Sequence, residues 1–73
     1  MKYAIRHHWK DGTDSWLGAT SLIHVGIKKD EIVLHDAKIG FCSSDINLAH
    51  DYCAYMMRVF GVFGNRYQVE EYP

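Results

Sequence analysis

Seventy-three residues with a formal net charge of −1 and interspersed acidic and basic side chains exclude general nucleic-acid binding through a basic face, and equally a highly acidic mimic of DNA. A hydrophobic share of 48% with 14% aromatics excludes a disordered chain. One domain of this length buries only about 60% of the surface its unfolded form exposes, so a disulfide, a metal or oligomerisation is expected to help it.

Lys2 to Trp9 alternates, with Tyr3, Ile5, His7 and Trp9 on one side and Lys2, Ala4, Arg6 and His8 on the other, which predicts a half-buried strand. The opening Met1–Arg6 lacks the apolar run of a signal peptide, and no stretch approaches the ~20 apolar residues of a membrane span. Lys10-Asp11-Gly12-Thr13-Asp14 carries an Asp-Gly turn signal. Trp16-Leu17-Gly18 fits the start of a second strand and a loop anchor equally well. Ser21 to Ile27 predicts a strand with Ile23, Val25 and Ile27 inward, and Lys28-Lys29-Asp30-Glu31 a polar turn. Ile32 to His35 reads as the returning arm of that hairpin. Asp36-Ala37 breaks it, and Lys38 to Phe41 reads as a short extra strand or bulge.

Ser43 to Phe60 predicts one amphipathic helix. Leu48, Ala49, Tyr52, Cys53, Met56, Val59 and Phe60 recur at helical spacing, and Tyr55 and Met57 widen the stripe to about half the cylinder. An ordinary core-facing stripe is about 100° wide or a little more. The excess suggests a second buried surface, covered by another chain. Ser43-Ser44-Asp45 supplies acceptors for the first helical amides, with Asp45 at the positive end of the dipole. Gly61 fits a left-handed cap with Val62 making the accompanying apolar contact, and Gly64-Asn65 a turn. Arg66 to Tyr72 alternates as a last strand, at an edge, with its charges and Pro73 blunting further pairing. The expected fold is therefore α+β: a small, mostly antiparallel sheet of three to five strands packed on one helix (about 43–60), in the order β-β-β-α-β.

Cys42 and Cys53 lie about 15 Å apart along the expected helix, at 1.5 Å per residue, too far to bond, so both are expected reduced in a cytosolic chain. His50 and Cys53 share a helix face, but the set lacks the two close pairs of a structural zinc site, so no metal or cofactor is expected. Cys42 precedes a helix N-terminus, a position that can activate a thiol, but no base among His7, His8, His24 and His35 is singled out, and no catalytic residue is expected. The polar helix face of Asn47, His50, Asp51 and Arg58 reads as solvated.

The aromatic residues are many for so small a core. Trp9 and Trp16 flank a polar loop, where they could anchor a partner, close over a small ligand, or simply pin the loop. Phe41-Cys42-Ser43 leading into the helix and Tyr67-Gln68-Val69-Glu70 in the closing strand resemble the plan of small accessory proteins of bacteriophages and mobile elements. That resemblance implies a job in host takeover or anti-defence, as anti-CRISPR proteins perform, in the host bacterial cytoplasm, by blocking a host or defence protein. It carries over no functional residue. The expectation is a non-enzymatic protein-binding module and homodimer. Tyr55, Met56, Met57, Val59 and Phe60 would form the self-interface, and Trp9, Asp11, Asp14, Trp16, Glu70 and Glu71 the partner surface, with no direct nucleic-acid or membrane contact. One alternative is a protein sequestering a nucleotide or signal molecule through Trp9, Trp16, His24 and Arg6. Another is a minimal metal or cysteine-dependent protein.

Overall fold

A computed structural model describes residues 1–18, 31–35 and 38–73. Their order is β1 (Lys2–His8), β2 (Asp14–Trp16), β3 (Ile32–His35), β4 (Lys38–Phe41), α1 (Ile46–Phe60), a 3-10 turn (Gly61–Phe63) and β5 (Arg66–Tyr72). The class is α+β, as the periodicities predict, with two differences of detail. Trp16 ends the short strand β2 rather than starting one, with Leu17 and Gly18 beyond it, and Lys38–Phe41 takes the strand form of its two expected ones, which puts four described strands rather than three before the helix. The expected strand Ser21–Ile27 and its turn, with His24, and the break at Asp36-Ala37 lie outside the described residues.

The strands form two antiparallel ladders rather than one sheet: a three-stranded sheet in the order β2-β1-β5, and the pair β3-β4. Ile32–His35 therefore finds its described partner in the strand that follows it, with Ile32 opposite Phe41. Backbone bonds join the two ladders at Leu17. Its N–H donates to Ile5 O (2.7 Å) while its carbonyl accepts from the Phe41 N–H (3.2 Å). Further along β1, Tyr3 and Ser43 exchange both bonds at 2.7 and 2.9 Å. β1 is thus the central strand, bonded along one side to β5 over its whole length and along the other first to Ser43 and then to β2.

The helix starts where the sequence supplies a cap. The Asp45 carboxylate accepts from the Asn47 and Leu48 amides (3.0 and 3.3 Å), and Ser43 Oγ accepts from the Asp45 amide (3.0 Å). Its end differs from expectation. Gly61 is right-handed (φ −63°) and its N–H continues the helical ladder to Met57 O, so Val62 turns out to solvent. The left-handed residue is Gly64 (φ +89°), whose N–H closes the 3-10 turn on Gly61 O. The chain thus carries three more residues, Gly61–Phe63, of helix-like backbone past Phe60 before the left-handed Gly64 ends it.

Ile5, Leu17, Phe41, Ala49, Met56 and Tyr67 form the core, with Tyr3, Tyr52, Cys53, Tyr55, Met57 and Val69 packed around it. Full burial of a side chain such as Ile5, Phe41 or Met56 stabilises the fold by roughly 1.5–3 kcal/mol each. Cys42 and Cys53 are both free, Cys42 being buried at the helix lead-in. Among the described residues no helix is long and apolar enough to cross a membrane.

Candidate functional site

The two tryptophans that flank the first turn do not meet. In the β1–β2 register His7 faces Ser15 while Arg6 faces Trp16, and neighbouring positions on a strand point to opposite faces of a sheet. Trp16 lies on the face away from the helix, where the Arg6 guanidinium sits 3.8 Å from its ring centroid and Tyr72 meets it edge-on at 5.3 Å. Trp9 lies on the helix side, stacked on the His7 imidazole at 3.9 Å. Its indole N–H donates to Ser15 Oγ (3.2 Å), and the turn below it is held by Asp11, whose carboxylate accepts from both the amide and the hydroxyl of Thr13. Those two bonds hold the Asp11 carboxyl below its ordinary value.

Trp9 and His7 form one side of a cleft of about 360 Å³. The chain from Ser15 to Gly18 makes a second wall, and Met56 and Phe60 of α1 a third. Tyr67, paired with His7 across the β1–β5 ladder, and Asn65 complete it. The Tyr67 ring also lies against His7, with centroids 4.5 Å apart. Among the described residues no Lys, Arg, Asp or Glu lines the cleft. His7 is only 7% exposed, and its Nε2 is buried without a hydrogen-bond partner. Burial pushes the Tyr67 phenol up from its ordinary 10.0. A second buried polar atom without a partner, Glu31 Oε2, lies at the helix lead-in, where Glu31 Oε1 accepts from Ser43 Oγ at 3.4 Å. There burial, and then the Glu31 charge, raise the Tyr52 phenol.

The residues expected at a self-interface separate. Met56, at 2% exposure, is taken up by the chain's own core, and Tyr55 and Met57 pack half-buried around it. Val59 and Phe60 stay exposed, and the unfolded-back cap adds Val62 (80%) and Phe63 (67%) beside them. The residues expected at a partner surface divide between the two sheet faces. Trp9, Asp11, Asp14 and Glu71 are exposed. Glu70 is half-buried, 3.7 Å from Arg6, which also lies 3.9 Å from Asp14. With its guanidinium between two carboxylates and Trp16, Arg6 is engaged within the sheet rather than offered to a ligand.

The cysteine chemistry meets a physical obstacle. Burial raises the Cys42 thiol above its ordinary 9.0, with Lys2 only partly offsetting it, so the position ahead of the helix does not activate it. His50 is exposed and Cys53 half-buried, and among the described residues no three His, Cys, Asp or Glu side chains gather as a metal site. The His7–Tyr67 pairing escaped the sequence reading. Each belongs to an alternating strand, but period-two alternation does not give the register that sets them side by side. Comparison with protein-family models, with characterised proteins and with solved structures gives no match to this chain.

Proposed function

We propose that the protein is a non-enzymatic binding module that self-associates and acts by covering a surface of a partner protein. The observation that carries this reading is the apolar end of the helix. Val59, Phe60, Val62 and Phe63 lie within five residues, all exposed, in a chain whose small core already takes up Met56. Contiguous exposed apolar side chains of this kind mark interaction surfaces. A second copy is the occupant that fits best, because two such ends are equally apolar. The polar turn from Trp9 to Asp14, whose Lys10 side chain lies beside Gly64, borders this end and is the surface left to meet the partner.

Native mass spectrometry and light scattering test the first step. A dimer is expected for the wild type, and a monomer with unchanged helical circular dichroism for Phe63→Asp. A wild type that is monomeric at tens of micromolar refutes self-association. Capture from a bacterial lysate tests the second step. One protein retained in stoichiometric amount by the wild type and lost with Trp9→Ala supports occlusion through the turn, and equal retention by both excludes it.

A further inference from the structure

We propose that the cleft between Trp9, His7, Met56 and Tyr67 is a binding site for a small, uncharged heteroaromatic molecule of about nucleobase size, with His7 Nε2 pairing to its polar edge. This goes beyond the partner-binding reading and does not rest on it. Three observations carry it. The first is the orphan nitrogen. A buried polar atom without a partner costs free energy that a fold avoids unless something else fills the bond; here Nε2 itself presents under 1 Å² of surface, on a side chain that lines an open cavity and is 7% exposed, so a ligand in the cleft pairs with it once the imidazole tips toward the opening. The second is size. The roughly 360 Å³ lies at the lower end of ligand pockets, which run from about 300 to 1,000 Å³.

The third is the lining. Trp9, Tyr67 and Phe60 present aromatic surface and Met56 and Leu17 aliphatic surface, with Ser15 and Asn65 as further polar groups. This suits a flat, largely apolar ring bearing a few hydrogen-bonding atoms. Among the described residues no charged side chain lines the cleft to meet a phosphate or carboxylate, and Arg6 is held on the other sheet face by Asp14 and Glu70. A neutral imidazole has one donor and one acceptor nitrogen. A ring with an adjacent N–H and ring nitrogen can meet Nε2 in either tautomer, which a hydrocarbon ring cannot.

Adenine and toluene are the probes, read by the indole and imidazole nitrogen resonances of the unmodified protein. Saturable shifts of Trp9 Nε1 and His7 Nε2 with adenine, at lower concentration than with toluene, are expected. His7→Phe keeps a ring against Trp9 and Tyr67 while deleting the nitrogen. It should weaken adenine roughly tenfold, as loss of one hydrogen bond predicts, and leave toluene unaffected. Absence of a saturable shift with adenine up to its solubility overturns the proposal. So does equal binding of both probes with no dependence on His7, which would make the cleft an apolar socket for a partner's side chain. Phe63→Asp should leave adenine binding unchanged, so failure of the dimer and failure of the site read separately.

Discussion

His7 is enclosed on one side by the Trp9 indole and on another by the Tyr67 phenol, with Nε2 unpartnered. An unsatisfied buried group of this kind costs about 1–3 kcal/mol, so His7→Phe should raise stability by about 1 kcal/mol while abolishing the polar contact to a ligand. Chemical denaturation of the two proteins without ligand measures it, and a lower midpoint would mean that the imidazole has a partner in solution. The four groups held above their ordinary values give a second expectation at this scale. Burial raises the thiols of Cys42 and Cys53 above 9.0 and the phenols of Tyr52 and Tyr67 above 10.0. The folded chain therefore keeps these protons more firmly than the unfolded one. Stability from this source is fully present below pH 9.0 and falls as pH rises through the raised native values. Urea midpoints measured from pH 7 to pH 11 should decline above pH 9, and a flat profile would contradict the burial of these groups. Little of the site was legible in the residues themselves. Trp9 and Trp16 stood out by type, yet they lie on opposite sheet faces, and the cleft draws on β1, β2, the helix and β5, whose juxtaposition no local pattern records.

Elements were legible in proportion to their length and regularity. β1 and β5 alternate over seven residues each, and their expected bounds agree with the structure to within one residue. The helix carries both a period and a cap, and Asp45 sets its start. At 1 kcal/mol or thereabouts for such a cap, Asp45→Ala should lower the melting temperature by several degrees, as about 1 kcal/mol does in a domain of this size. β2, three residues long, has too few positions to show a period, and β3 could not reveal from sequence which neighbour it joins. The helix end was misread because two glycines three residues apart, Gly61 and Gly64, both suit a left-handed stop. The structure separates them. Gly61→Ala should be neutral or slightly stabilising, since its backbone is right-handed and the new methyl would sit 3.5 Å from the Met57 side chain. Gly64→Ala should destabilise by about 1 kcal/mol or more, since φ is +89° and the methyl would also press on Lys10 at 3.3 Å. Equal melting temperatures for the two variants would refute this placement of the turn.

At the scale of the molecule, the class was readable because a helix-period segment sits among strand-period segments, but the division into two ladders was not, since the joins between them, at Leu17 and between Tyr3 and Ser43, are isolated backbone contacts that no sequence period records. Leu17 bonds to Ile5 on one side and Phe41 on the other, and so ties the three-stranded sheet to the β3–β4 pair. The ladder between β1 and β5 has a consequence in time rather than in space. The centre of the sheet pairs Lys2 with Tyr72 and His8 with Arg66, the first strand with the last. During synthesis β1 must wait, its apolar side open, until β5 has left the ribosome. Refolding from denaturant has to close the loop that carries every other described element before that ladder gains a single bond, which places the rate with topologies that fold in milliseconds to seconds. A circular permutant that joins Pro73 to Met1 through a short glycine linker, and opens the chain at the Gly12 turn, turns this closure into a hairpin. It should refold faster at nearly unchanged stability.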